Sequence, residues 1–264
     1  MAENNAAQLF DTVASDYEKF RPGYPDLLYK TLFDYATLNS SGNAAEIGIG
    51  AGQASLPVLK TGCRLTAIEY GSELSALCSE KFKDFPNFTV ITGKFEDTPL
   101  PESSFDLVYS ASAFHWIPEE TGYKKVFSLL KSGGAFARFA NRPFPGNDDT
   151  GLSRDLERIY AEYYYPFHNR EPAAPKRFTA EQAAAIAGIP QKYGFTDIKY
   201  AIFRRTRKFT AGEYIKLLGT YSDHIAIEEQ TRKAFFSAIE KAVNVHGGEI
   251  TVSDTIDLEL ARKP

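Results

Sequence analysis

A chain of 264 residues has room for one large α/β domain carrying a cap, or for two small domains. With 43% hydrophobic and 24% charged residues it has the make-up of an ordinary soluble globular protein, and a net charge of -4 argues against a nucleic-acid partner bound by broad phosphate neutralisation. The polar start MAENNAAQLF lacks a signal pattern, no apolar run approaches the roughly 18 residues of a membrane span, and Cys63 and Cys78 alone make neither a disulfide framework nor a zinc cluster; a cytoplasmic protein without a metal or a membrane partner is expected, its oligomeric state open.

In chain order, DLLYKTLFDYATL has apolar residues at helical spacing, and Ser40-Ser41-Gly42-Asn43 breaks it. A short apolar strand ending at Ile47 runs into the glycine-rich stretch EIGIGAGQASL and then a helix-like run. RLTAIEY (64–70) reads as a strand, followed by a helix from near Ser72. FTVIT (88–92) and FDLVYSAS (105–112) are two more strands. A helix around Thr121 to Leu130 leads through KSGG to the strand AFARFA (135–140). This alternation predicts a mainly parallel, doubly wound sheet.

The rhythm breaks after residue 141. NRPFPGNDDTG reads as loop, and LSRDLERIYAEYYYPF as a helix with a tyrosine-rich end. A helix over roughly 179–192 returns the chain to the sheet through the strand TDIKYAIFRRTRKF. AGEYIKLLGTYSD and EEQTRKAFFSAIEKAV are helical insertions. GEITVSDTIDLELARK closes the chain as an alternating strand with one solvated side. The reading is one domain, 1–264, with helical cap segments at 145–178 and 207–246. Aromatic residues reach 14%, a hint of an aromatic-lined cavity, although aromatics more often fill a core.

Within EIGIGAGQASL, Gly48 can make the turn after the strand, while Gly50 and Gly52 let a ligand come against bare backbone at a helix N-terminus. A dinucleotide fingerprint wants Gly or Ala where this chain has Gln53. Glu69 lies 17 residues beyond Gly52, at a strand end, where a carboxylate can accept from a ribose diol. Glu46, in the last turn of a buried strand, needs a partner, and a cationic ligand such as S-adenosylmethionine accounts for it better than a pyrophosphate does. Each residue also has a plain reading: a structural turn, a solvated strand-end acid.

EIGIGAG, AIEYG, GKFEDTPLPESSFDLVYSASAFHWI and LLKSGGAFARF, in unbroken order over 44–140, resemble the class I S-adenosylmethionine-dependent methyltransferases. The resemblance implies a Rossmann-like, seven-stranded mixed sheet with an antiparallel last strand, a cofactor-binding core at 44–140, and S-adenosyl-L-methionine as cofactor. FDTVASDYEKFRPGYP (10–25) and LLGTYSDH (217–224) look like a small-molecule branch that includes the trans-aconitate methyltransferases. That implies an arm, 1–25, folded over the cofactor with contacts from Tyr17 and Arg21, the latter suited to the methionine carboxylate. Where the family often has an acid for the adenine amino group this chain has Lys94, which has no acceptor. The Phe95 amide, and Glu96 or Asp97, are the expected substitutes, with Tyr70 as a flat surface against the ring.

Methyl transfer from a sulfonium to a small acceptor, plausibly a carboxylic acid, is an in-line displacement in which alignment supplies roughly 7–11 kcal/mol. A carboxylate nucleophile needs no base; a hydroxyl or carbon usually does. His115 is the candidate catalytic residue, at the C-terminal end of a strand, with Trp116 beside the cofactor and the small Ser110 and Ala111 allowing close approach. Candidate substrate-binding residues are Arg142, Tyr164, Tyr165, Tyr221 and His224, with His168 nearby; packing within a cap is the plain alternative. Two other functions stay open: a non-catalytic S-adenosylmethionine-binding protein, and a nicotinamide-dependent oxidoreductase.

Overall fold

The computed structural model describes residues 14–145, 150–173 and 175–264. The first part of the predicted arm, and residues 146–149 and 174 of the predicted cap, lie outside them. The sequence reads as one domain; in the structure the chain gathers into two compact units. One, the core unit, holds Pro22–Asn141, Phe178–Phe203 and Ile256–Pro264. The other, the cap unit, holds the described residues of Met1–Arg21, Arg142–Arg177 and Arg204–Thr255.

The strands are β1 (Asn43–Ile47), β2 (Arg64–Glu69), β3 (Phe88–Thr92), β4 (Phe105–Ala111), β5 (Leu130–Pro145), β6 (Thr196–Thr210) and β7 (Glu249–Arg262). They form one seven-stranded sheet in the order β3-β2-β1-β4-β5-β7-β6. The β1–β2, β2–β3, β1–β4 and β4–β5 pairs are parallel, as the helix-strand alternation predicts. β7 is antiparallel: Gly133 donates to the Lys263 carbonyl (2.8 Å) and Lys263 returns a bond to Gly134 (3.0 Å), joining the start of β5 to the end of β7.

The core unit adds helices α2 (Asp26–Tyr35), α3 (Ser55–Leu59), α4 (Ser72–Lys81), α5 (Glu119–Leu129) and α8 (Ala180–Gly188). In the cap unit lie α1 (Ala14–Phe20), α6 (Thr150–Ile159), a π-helical turn (Tyr160–Tyr164), α7 (Tyr165–Phe167), α9 (Ala211–Leu218), α10 (Ser222–Ile225) and α11 (Glu229–Val245). Thr179 with Gln182, and Thr210 with Glu213, make capping boxes that start α8 and α9. Strands β1 and β4 carry almost unbroken apolar runs because both of their faces are covered: Ala44, Leu107 and Tyr109 pack in one cluster, Ala45, Ile47 and Val108 in another.

β7 corrects one expectation. Its alternation reads as a strand with a solvated side, yet Asp254, Thr255, Asp257 and Glu259 are all buried. The strand lies inside the sheet between β5 and β6, so both of its faces are covered and its polar residues are enclosed with the apolar ones. The abundant aromatics likewise go into packed clusters. Phe114, Tyr123, Phe136 and Phe195 interlock in the core unit, and Tyr160, Tyr164 and Phe235 in the cap unit. No helix among the described residues is long and apolar enough to cross a membrane.

Candidate active site

β1 connects to β2 on one side, while the chain after β3 returns to β4 on the other side of β1. The carboxyl ends of β1 and β4 therefore flank the topological switch point, where open α/β sheets bind ligands. The glycine-rich loop leaves β1 there. Gly48, Gly50 and Gly52 have φ of 69°, 58° and 75°, left-handed values that side chains rarely adopt. Gly48 donates to the Ile68 carbonyl (2.8 Å), which ties the turn to β2.

Two of these glycines answer to packing as well as to any ligand. A Cβ on Gly48 would lie 2.4 Å from the Ala113 Cβ, and one on Gly52 would lie 2.5 Å from the Phe82 ring. The bare side of Gly52 is thus filled by α4 and its following turn, and the expectation that a ligand lies against that position is corrected. From α4, Cys78 donates to the Gly50 carbonyl (3.1 Å) and Lys81 to the Ala51 carbonyl (2.8 Å). No local motif in the sequence marks either residue, because each acts across 28 or 30 positions of chain.

Glu69 closes the loop. One carboxylate oxygen accepts from Gly50 (2.8 Å) and the other from Gly71 (2.9 Å), which ties the loop to the end of β2. Glu46 is fully buried. Its Oε2 accepts from Ser55 (2.6 Å) and Tyr109 (2.7 Å), while Oε1 has no hydrogen-bond partner. Burial pushes its carboxyl up to about 7; the bonds from Ser55 and Tyr109 offset part of that, and the nearby Glu69 charge adds to it. The carboxylate is enclosed, with one orphaned oxygen that a donor or cation would satisfy.

Next to Glu69, Gly93 donates to the Glu69 carbonyl (2.8 Å) and begins the turn 93–98. Lys94 lies with its ammonium 5.5 Å over the Tyr70 ring, so the proposed flat surface already carries a cation on one face. The Phe95 side chain is buried in the core, and Glu96 is half-buried. Ser110 corrects another expectation. It is fully buried and donates to the Ile47 carbonyl (2.9 Å), bracing β4 against β1 rather than lining an approach path. His115 and Trp116 follow β4 on a single turn, both exposed, with ring centroids 4.8 Å apart.

The sequence missed Ser112. Its φ of 58° is strained for a residue with a side chain, and it sits just past β4 at the switch point. Its hydroxyl bonds to that of Tyr24 (2.9 Å) and accepts from the Asn141 amide (3.3 Å).

The remaining candidates lie in the cap unit. Arg21 donates through Nε to the Thr220 hydroxyl (3.0 Å) and through Nη2 to the Thr220 carbonyl (2.7 Å), and its guanidinium lies 4.3 Å from the Tyr221 centroid and 5.1 Å from that of Tyr17. It is engaged within its own unit, which corrects its reading as a group held ready for a carboxylate. His224 and Tyr164 are buried rather than lining an open pocket. Tyr164 donates to Asp223 (2.7 Å), Asp223 faces His224 Nδ1 (2.9 Å), and Tyr160 meets His224 Nε2 (2.9 Å). Burial raises the Asp223 carboxyl, but the bonds from His224 and Tyr164 and the His224 charge outweigh it and hold it well below the usual range. With Asp223 ionised, His224 donates to it through Nδ1, and the Tyr160 hydroxyl lies 2.9 Å from Nε2. Asp223→Asn is expected to cost about 1 kcal/mol, since the carboxylate is partly exposed, and denaturant unfolding checks it. His168 bonds the Asp223 carbonyl, Tyr165 donates to Ala173, and Arg142 is half-buried where β5 enters the cap unit. No cluster of three or more potential metal ligands occurs among the described residues.

Residues 45–137 match the family model described as a methyltransferase domain. An uncharacterized methyltransferase of Schizosaccharomyces pombe is 25% identical, over 84% of this chain and 83% of its own. A malonyl-[acyl-carrier protein] O-methyltransferase of Ilyobacter polytropus is 26% identical over 52% of each chain. Among solved structures, a putative type II methyltransferase from Anaeromyxobacter dehalogenans covers 92% of this chain and 98% of that one, with a TM-score of 0.65 at 21% identity, a likeness of fold. An uncharacterized methyltransferase of Anoxybacillus flavithermus is 30% identical, over 58% of this chain and 80% of its own, and the chain belongs to the S-adenosylmethionine-dependent methyltransferases.

Proposed function

We propose that this methyltransferase transfers its methyl group to a carboxylate oxygen of a small molecule. The observation that carries the cofactor half is the loop pinned to Glu69 beside a buried Glu46 with an orphaned oxygen: acceptors for a diol and for a cation, on the adjacent strands β1 and β2. Glu69 would take the ribose, the 93–98 turn the adenine, and the Glu46 side of the loop the positive methionine end. The cofactor supplies an electrophilic methyl on a sulfonium with a good leaving group.

What the protein then contributes is alignment and exclusion of water. A carboxylate acceptor needs no general base: it attacks as it is, in line with the carbon–sulfur bond. The resemblance of the arm and of LLGTYSDH to the trans-aconitate methyltransferases supports this acceptor class, as does the printed name of the Ilyobacter relative, an O-methyltransferase for a malonyl group. His115 is the residue we assign to acceptor orientation.

Calorimetry with S-adenosylmethionine is expected to show one site of micromolar affinity; no heat at high micromolar concentration would overturn the cofactor assignment. Radiolabelled methyl transfer to a panel of small di- and tricarboxylic acids, phenols and amines is expected to give base-labile esters that release labelled methanol. Transfer confined to phenols or amines would sink the carboxylate reading.

A further inference from the structure

We infer that Lys125 is a positioning residue for adenine recognition, an internal cation that holds the 93–98 turn in its ligand-binding shape; this rests on the assignment of that turn to the adenine.

Lys125 projects from α5, and its ammonium donates to three carbonyls of one turn: Phe95 (2.5 Å), Glu96 (3.0 Å) and Thr98 (2.6 Å). An ammonium has three hydrogens, so its donor capacity is used in full. It also lies 4.9 Å from the centroid of the Phe95 ring. The Lys94 carbonyl is taken from within the turn, by the Asp97 and Thr98 amides and the Thr98 hydroxyl. Gly93 is needed for this closeness, since a Cβ there would stand 3.0 Å from the Thr98 hydroxyl oxygen.

Four of the turn's acceptors are therefore committed to Lys125 or to the turn itself. The donors are not: among the described residues the Phe95 and Glu96 amides donate to no group. Consecutive unpaired N–H groups on a turn with its carbonyls drawn away make a small cradle for an acceptor. Adenine presents ring-nitrogen acceptors and an amino donor on one edge, and Glu96 and Asp97 are the adjoining carboxylates for the amino group. Lys94 supplies no acceptor for the amino group, a place left to those carboxylates, while the clamp leaves the backbone amides to donate to the ring nitrogen. No local pattern in the sequence marks Lys125, which acts on carbonyls up to 30 residues away.

The test compares S-adenosylhomocysteine with S-inosylhomocysteine, whose base has an N–H where adenine has a ring acceptor and a carbonyl where adenine has its amino group. A site built on directed donors rejects such an analogue strongly. Calorimetry on the whole chain is expected to show wild type preferring the adenine compound at least tenfold. Lys125→Met is expected to bind that compound at least tenfold more weakly, to bind the inosine compound within threefold of wild type, and so to lose the preference; Lys125→Arg is expected to restore most of it. Lys125→Gln, with two donors on a shorter stem, gives an intermediate ratio and stands in should the Met variant fail to fold. A folded Lys125→Met or Lys125→Gln that keeps the wild-type ratio overturns the clamp. A wild type that binds both compounds equally overturns the adenine assignment beneath it, and one that binds neither overturns the proposed function.

Discussion

Gly48→Ala is expected to cost the fold on the order of 3 kcal/mol and to abolish cofactor binding. Two penalties combine. A side chain at a φ of 69° is disfavoured by about 1–2 kcal/mol, and the new Cβ would lie 2.4 Å from that of Ala113. The second part is separable. Placing Ala113→Gly in the same chain removes the colliding atom, and should recover the steric share while leaving the backbone share. Denaturant unfolding of the two single variants and the double variant measures the coupling. Simple additivity between them would mean that the two Cβ positions do not meet.

Glu46→Gln is expected to stabilise the ligand-free chain at pH 8, by on the order of 2–3 kcal/mol, and to change little at pH 5. The sign follows from a carboxyl raised from 4.5 to about 7 by burial. The folded chain keeps a proton that the unfolded chain releases, so the contribution is fullest below about 4.5 and is lost as pH rises through about 7. Gln offers an oxygen to Ser55 and Tyr109 and has no charge to bury, which removes the high-pH penalty. The same change should weaken S-adenosylmethionine binding tenfold or more at pH 8, because the cation loses its counter-charge. Melting curves and calorimetry at the two pH values check both halves. Wild type that gains no stability on acidification from pH 8 to pH 5 relative to the Gln variant would show that Glu46 titrates normally.

Much of the sheet was legible because its signals are local. Gly and Pro punctuation and short apolar runs set strand limits for β2, β3 and β4 to within a residue or so. The Glu46 and Glu69 carboxylates were legible for a related reason, since each ends a strand beside the loop. What escaped depends on distance. Nothing near Lys125, Cys78 or Lys81 in the chain announces that each holds a loop or turn carbonyl from about 30 residues away. Ser110 and Gly52 show the converse: a small residue at a strand end or turn looks the same in sequence whether a ligand or a neighbouring element fills the space. The period of β7 was read correctly, but period alone does not say which side of a strand is covered, and burial on both sides follows only from its place in the sheet.

β6 ends the sheet, and a strand of 15 residues in that position is a long template for another chain to pair with. Lys199, Arg204 and Lys208 are exposed along it. Two copies aligned edge to edge would bring these like charges together over the whole length of the strand, so the cations act as a guard on colloidal behaviour as well as on solubility. Neutralising the three to Gln should leave the stability of the chain nearly unchanged while raising turbidity on concentration relative to wild type, most of all at low salt, where the wild-type repulsion is least screened.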